Sequence, residues 1–305
     1  MPIAGERPDL NLKAIVYATD FSLGAQNAGL YASQLASYFS AQLIVTHAFT
    51  LSQAALEVEI DRVLVSQQRK DLKTQLANKA VQLAGQSIEA IPILAEGDPK
   101  EVIPDLADKH QPAMIVLGTH GGGRFERGII GSTAEKVLRS TRWPCLTVGP
   151  KVRTATSKAL PFERILFATD FSEAATNAAL YAVNLAEVFG ATIDVLNVIH
   201  SGAAVHPERL LDLQRDFYRA LDLVVPRQTK EFCNPRTFVE VGKAQEQIIE
   251  HVRERSIDLL VLGIRRSSHL SLEMRMSRAF QIIVDAECPV LTIQHEVSRQ
   301  PRGTE

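Results

Sequence analysis

The chain has 305 residues, 46% hydrophobic and 22% charged, the balance of a soluble globular protein long enough for two domains that each bury a core. Its 33 basic and 35 acidic residues are interspersed and leave a net charge of -2, so no strong field steers it toward DNA, RNA or anionic lipid. The amino terminus lacks the basic start and apolar run of a secretory signal, and no apolar stretch approaches the roughly 20 residues that span a bilayer; the expectation is a cytoplasmic protein with neither nucleic acid nor membrane among its partners.

In chain order, the apolar runs AIVYA (residues 14–18), AQLIVTHAF (41–49), IPIL (91–94), MIVLG (114–118) and CLTVG (145–149) lack clean alternation. Short runs of this kind suit strands covered on both faces, as in a parallel sheet. Between the first two, Ala28, Tyr31, Ala32, Leu35 and Phe39 recur at steps of three and four, which gives a helix with one apolar stripe. Residues 52–86 and 99–109 also read as helix. Strand and helix alternating in this way indicate a doubly wound α/β sheet, in which ligands sit beyond the carboxyl ends of the strands at the switch point.

The strand at 114–118 leads into a glycine-dense turn, with Gly118, Gly121, Gly122, Gly123, Gly128 and Gly131 inside fourteen residues. Such a turn lets backbone amides approach an anion that side chains would exclude. The helix that follows is marked by Ser132 with Glu135 three residues on, the pattern of a capping box, and its amino-terminal amides and dipole favour a phosphate. Ser132 is open to two roles, helix cap and phosphate contact.

Past residue 150 the pattern returns. Residues 165–191 match residues 15–41 at a constant offset of 150, with 16 of 27 positions identical, and LLVLG (259–263) matches MIVLG at an offset of 145. The chain is a duplicated unit. A polar stretch at 150–164, bracketed by Pro150 and Pro161, reads as a linker, and 295–305 as a frayed tail. The domains are placed at 10–150 and 161–297. In the second copy Gly263 and Ser277 persist, but Arg266 stands at the second glycine and Met276 at the third, so side chains crowd the phosphate approach and a positive φ, if needed there, is denied to Met276. Arg265, Arg266, Arg275 and Arg278 in that loop are open to anion binding or to plain solvation.

Taken together, these residues resemble the universal stress protein family. Its ATP-binding members carry Gly, two residues, Gly, nine residues, Gly, then Ser or Thr; Gly118, Gly121, Gly131 and Ser132 fit without a gap, and ATDFS (18–22) and EGDPKEVI (96–103) look like family signatures. The resemblance covers both copies and implies two five-stranded, Rossmann-like parallel-sheet domains in tandem. It implies ATP or another adenine nucleotide in the first domain, with magnesium carried mainly by the phosphates. Asp20, flanked by Thr19, matches a position near adenine and ribose, Ala48 a position whose backbone meets adenine, and Gly118, Gly121, Gly131, Ser132 and Thr133 the phosphate and ribose contacts. It also implies that the edge strands pair across the two domains as an intramolecular pseudo-dimer, with a further homodimer open, against a lone two-domain monomer.

Other chemistries fit less well. No glycine turn follows the first strand, which disfavours a dinucleotide fingerprint, and no Gly-Lys-Ser or Gly-Lys-Thr occurs. Asp20 has a turn or cap role as its plainer reading, and Arg124 and Arg127 are open to contact with a terminal phosphate or to solvation. His47 and His120 lack an orienting carboxylate at a recognisable spacing, and Cys145, Cys233 and Cys288 show no metal or redox pattern. The expectation is a nucleotide-binding regulatory or stress-tolerance protein without catalytic or metal-ligating residues. A slow metal-dependent ATPase or phosphotransferase and an interaction module with an empty pocket are the alternatives.

Overall fold

A computed structural model of the chain describes residues 10–50, 59–85, 88–119, 130–155, 160–200, 211–212, 215–216, 219, 235–265 and 273–295. The first half runs β1 (Ala14–Ala18), α1 (Leu23–Tyr38), β2 (Gln42–Phe49), α2 (Glu59–Ala84), β3 (Ala90–Glu96), α3 (Pro99–Lys109), β4 (Ala113–Gly118), α4 (Ser132–Ser140) and β5 (Cys145–Val148). The second runs β6 (Arg164–Ala168), α5 (Glu173–Phe189), β7 (Thr192–Ile199), β8 (Arg236–Val241), α6 (Ala244–Glu254), β9 (Leu259–Arg265), α7 (Glu273–Asp285) and β10 (Val290–His295). The expected helix at 52–86 is described from Glu59; residues 51–58 lie outside the described residues.

Each half is a five-stranded parallel sheet, in the orders β3-β2-β1-β4-β5 and β10-β9-β6-β7-β8. The central strands β1, β4 and β6 carry unbroken apolar runs because helices cover both faces: α1 and α2 lie on one side of the first half, α3 and α4 on the other. Helix α1 turns Ala28, Tyr31, Ala32 and Leu35 inward at the expected spacing. Each face of the sheet carries an apolar core that continues from one half into the other.

That continuity comes from the seam. β5 and β10 pair antiparallel, with Leu146 opposite Leu291, and the two halves become one ten-stranded sheet. The hydroxyl of Thr147 donates to the carbonyl of Val290 at 3.1 Å, and Thr292, its repeat equivalent, donates to the carbonyl of Cys145 at 3.1 Å. A pseudo-twofold axis therefore passes through Leu146 and Leu291. On one face it runs between Phe39 and Phe189, repeat equivalents whose ring centroids lie 5.9 Å apart, beside the Tyr38 hydroxyl donating to the carbonyl of Val188 at 2.8 Å. On the other, the Gln294 amide donates to the carbonyl of Leu138, and Arg139 lies over the ring of Phe280. The expected pseudo-dimer is what the chain builds.

The start of the linker is pinned rather than loose. Asn27 accepts from the amide of Ala155 at 2.9 Å and donates to the carbonyls of Val152 and Arg153. Cys145 and Cys288 are free and buried, and burial pushes both thiols far up, so neither is a nucleophile at neutral pH. Cys233 lies outside the described residues. Among the described residues no helix is long and apolar enough to cross a membrane.

Candidate functional site

The carboxyl ends of β1 and β4 sit side by side at the switch point, with Ala18 paired to Leu117. Beyond β1 the chain makes a tight turn. Phe21 has φ of 65°, and the turn is held by Thr19 Oγ1 accepting from the amide of Phe21 at 2.9 Å and Asp20 Oδ1 accepting from the amide of Ser22 at 3.0 Å. Ser22 then caps α1 by accepting from the amide of Ala25 at 3.2 Å. Thr19 is buried, and Asp20 is exposed at the mouth of the site.

β2 runs past the end of β1 and supplies the next wall. The amide of Thr19 donates to Thr46, and Nδ1–H of His47 donates to the carbonyl of Thr19 at 2.7 Å, which sets the imidazole tautomer. Ala48 follows, half-buried. His47 thus ties β2 to the turn after β1. In the second copy Asn197 takes its place, donating to the carbonyl of Thr169 at 2.8 Å. Two different side chains that can both donate, at one repeat position, were the signal in the sequence that could have found this role.

The glycine-dense loop leaves and returns at one point. Thr119 donates its amide to Val148, and its carbonyl accepts from the amide of Gly131 at 2.6 Å, which brings the start of α4 against the end of β4. Gly121, His120, Arg124 and Arg127 lie outside the described residues. Gly131 is the N-cap of α4, with φ −62° and ψ 143°, and Ser132 is the first helical residue. The capping box expected at Ser132 and Glu135 is therefore corrected. The Gly131–Thr119 bond moves the cap back by one residue, and Glu135 instead forms an ion pair with Arg139 one turn on at 2.8 Å. Ser132 and Thr133 are exposed, and the amides of Ser132, Thr133 and Ala134 precede the first intrahelical donor, the amide of Glu135, which bonds the carbonyl of Gly131. Asp98 of the EGDPKEVI segment caps α3; the Lys100 amide bonded to it, with Lys136 and Lys100 nearby, holds its carboxyl below the usual range.

Gly118 has a reason that precedes any ligand. A β-carbon there would lie 2.9 Å from the backbone of Gly24, and one at Gly263 would lie 2.3 Å from the backbone of Ala174. Both glycines let a helix start pack against a strand end, which explains why Gly263 persists in a copy that has lost the other two.

The first turn of the second copy repeats the first. Thr169 accepts from Phe171, Asp170 from Ser172 and Ser172 from Ala175, with Phe171 at φ 58°. The far wall differs. α7 begins at Glu273, four residues before Ser277, whereas α4 begins at Ser132, the match of Ser277. Met276 is inside the first turn, so the amides matching those of Ser132, Thr133 and Ala134 have carbonyl partners within the helix. No positive φ is needed at that position, since Gly131 itself has none, so the conditional objection to Met276 on that ground falls away. The early start of α7 also places Arg275 and Arg278 on a helix rather than in a loop; Arg266 lies outside the described residues.

The model of the universal stress protein family matches residues 11–149 and 161–294, which is most of the chain. The chain belongs to the universal stress protein family. A universal stress protein of Synechocystis sp. is 23% identical over 310 residues, covering 93% of this chain and 100% of that protein. One of Methanocaldococcus jannaschii is 29% identical over 138 residues, 45% of this chain and 81% of that one. In fold, the chain is similar to a universal stress protein from Archaeoglobus fulgidus, with TM-score 0.68 and 20% identity over 92% of this chain and 98% of that one. The two universal stress protein domains of this chain thus share one frame and differ in where the helix after the fourth strand of each begins.

Proposed function

We propose that the first universal stress protein domain binds an adenine nucleotide, ATP in the first instance, and that occupancy regulates the conformation or assembly of the chain. The observation that carries this is the contrast at one helix start. The amides of Ser132, Thr133 and Ala134 lie outside any intrahelical bond and next to the end of β4, the strand beside β1, while their counterparts lie inside α7. Thr19, Asp20 and Ala48 supply the side of the pocket where adenosine fits. Gly118, Gly131, Ser132 and Thr133 supply the side where phosphates fit, and Gly121 belongs to the same loop by sequence. Among the described residues no group of three His, Cys, Asp or Glu could hold a metal, so magnesium would arrive on the phosphate oxygens.

The test is to incubate the purified full chain with ATP, desalt it, release ligand by heat and identify it by mass spectrometry. An adenine nucleotide from the wild type and none from Gly131→Met is expected. Equal recovery from both, or none from the wild type, would contradict the proposal.

A further inference from the structure

The two domains also differ at the opposite end of the sheet. In the first, Ile44 on β2 pairs with Ile91 on β3, and Leu106 of α3 joins them in an apolar cluster. At the matching positions of the second stand Asp194, its register partner Arg236, and His251 of α6. Asp194 is 1% exposed; one carboxylate oxygen accepts from Arg236 Nε at 2.8 Å and the other meets His251 Nε2 at 3.1 Å. Exchanging apolar contacts for a buried ionic group is a poor route to stability. What the exchange achieves is to fix Arg236 by its Nε while its side chain stays partly exposed at a cleft.

Two further arginines converge there. Arg255, the C-cap of α6, lies over the ring of Phe238 at 4.3 Å, and that ring also makes an edge contact with His251 at a centroid distance of 4.7 Å. Arg164, at the start of β6, donates to the carbonyl of Arg255 at 2.9 Å. With Thr192 and Glu254 these three arginines line a cleft of about 470 Å³. In the first domain the same places hold Ala14, Ile91 and His110, so that domain has no counterpart of the cluster.

We propose that this cleft, formed by Arg164, Arg236, Arg255 and Thr192 below the second domain, is a binding site for a phosphate group. Three planar guanidinium forks from three elements, held by a buried carboxylate, an aromatic ring and a carbonyl, present donors toward one volume. The charges facing it are three positive against Glu254 at the rim, with Asp194 behind Arg236. The plainer role, in which Arg164 and Arg255 only complement the carboxyl end of α6, gives no saturable anion binding. The phosphate could be inorganic or carried by a small phosphomonoester, and the site is independent of the nucleotide reading.

The test is calorimetric titration of the full chain with inorganic phosphate and, separately, ribose 5-phosphate. Saturable binding is expected, weakened about tenfold or more by Arg255→Gln or Arg164→Gln, tightened by Glu254→Gln, and unchanged by Gly131→Met, which separates it from the nucleotide loop. Tighter binding of ribose 5-phosphate identifies a phosphomonoester site; equal affinities identify a site for the phosphate alone. Circular dichroism checks that each variant folds. Absence of saturable heat, indifference to both arginine changes, or loss of binding in Gly131→Met would each overturn the assignment.

Discussion

A β-carbon added at Gly29 in α1 would lie 2.9 Å from Cζ of Tyr17 and 3.0 Å from its hydroxyl oxygen. The ring cannot retreat, because that hydroxyl donates to the carbonyl of Ala25 at 2.6 Å. The repeat equivalents are Phe167 and Ala179: where the hydroxyl is absent, the extra methyl is accommodated. Gly29→Ala should destabilise by about 1 kcal/mol, overpacking outweighing the better helix propensity of alanine. In a Tyr17→Phe background the same change should cost less, because the freed ring can shift. Urea unfolding of the four proteins reads this directly, and strictly additive effects would contradict it. The same tyrosine makes the fold alkali-sensitive. Burial pushes the Tyr17 and Tyr31 phenols up from 10.0 to about 12, so the folded chain holds protons that the unfolded chain has already lost. Stability is unaffected by these groups below pH 10 and falls between about pH 10 and 12, on the order of 1.4 kcal/mol per pH unit per tyrosine. A urea midpoint that stays flat across that window would show the phenols to be unperturbed.

At the scale of single elements, the two glycines at the ends of the loop do different work. Gly118→Ala drives a methyl into the backbone of Gly24 and should lower the urea midpoint strongly, whether or not nucleotide is present. Gly131, an extended N-cap at φ −62°, has a backbone conformation open to any residue, and Gly131→Met should leave stability nearly intact while allowing α4 to begin earlier. A comparison of midpoints separates the two. The strands and α1 were legible because burial on both faces leaves unbroken apolar runs and a helix stripe leaves a period. The capping box was misread because a side-chain pattern says nothing of the Thr119 carbonyl that fixes the cap at Gly131. The early start of α7 was legible only in part. Glu273, Arg275 and Met276 are good helix formers, yet aligned with a glycine loop they read as loop. The His47 bond to Thr19 and the packing of Gly118 on α1 depend on chain segments distant in sequence, which no local spacing reveals.

The whole molecule is organised about the β5–β10 seam, which covers what would be two exposed sheet edges. A fragment ending at residue 155 uncovers β5 together with Leu146 and the α1 and α4 faces that meet the second half. It should associate through that edge and run as a dimer in light scattering; a monomer that stays soluble and folded would show that the seam is dispensable. The duplicated frame also lets the two switch points diverge without loss of the fold. One keeps three amides outside the intrahelical bonds at the start of α4, and the other folds their counterparts into α7. The most direct measurement is the stoichiometry of ATP binding to the full chain by isothermal titration calorimetry. The account requires saturation at one nucleotide per chain, lost in Gly131→Met with the urea midpoint unchanged. Saturation at two, no binding at all, or full binding by Gly131→Met would contradict it.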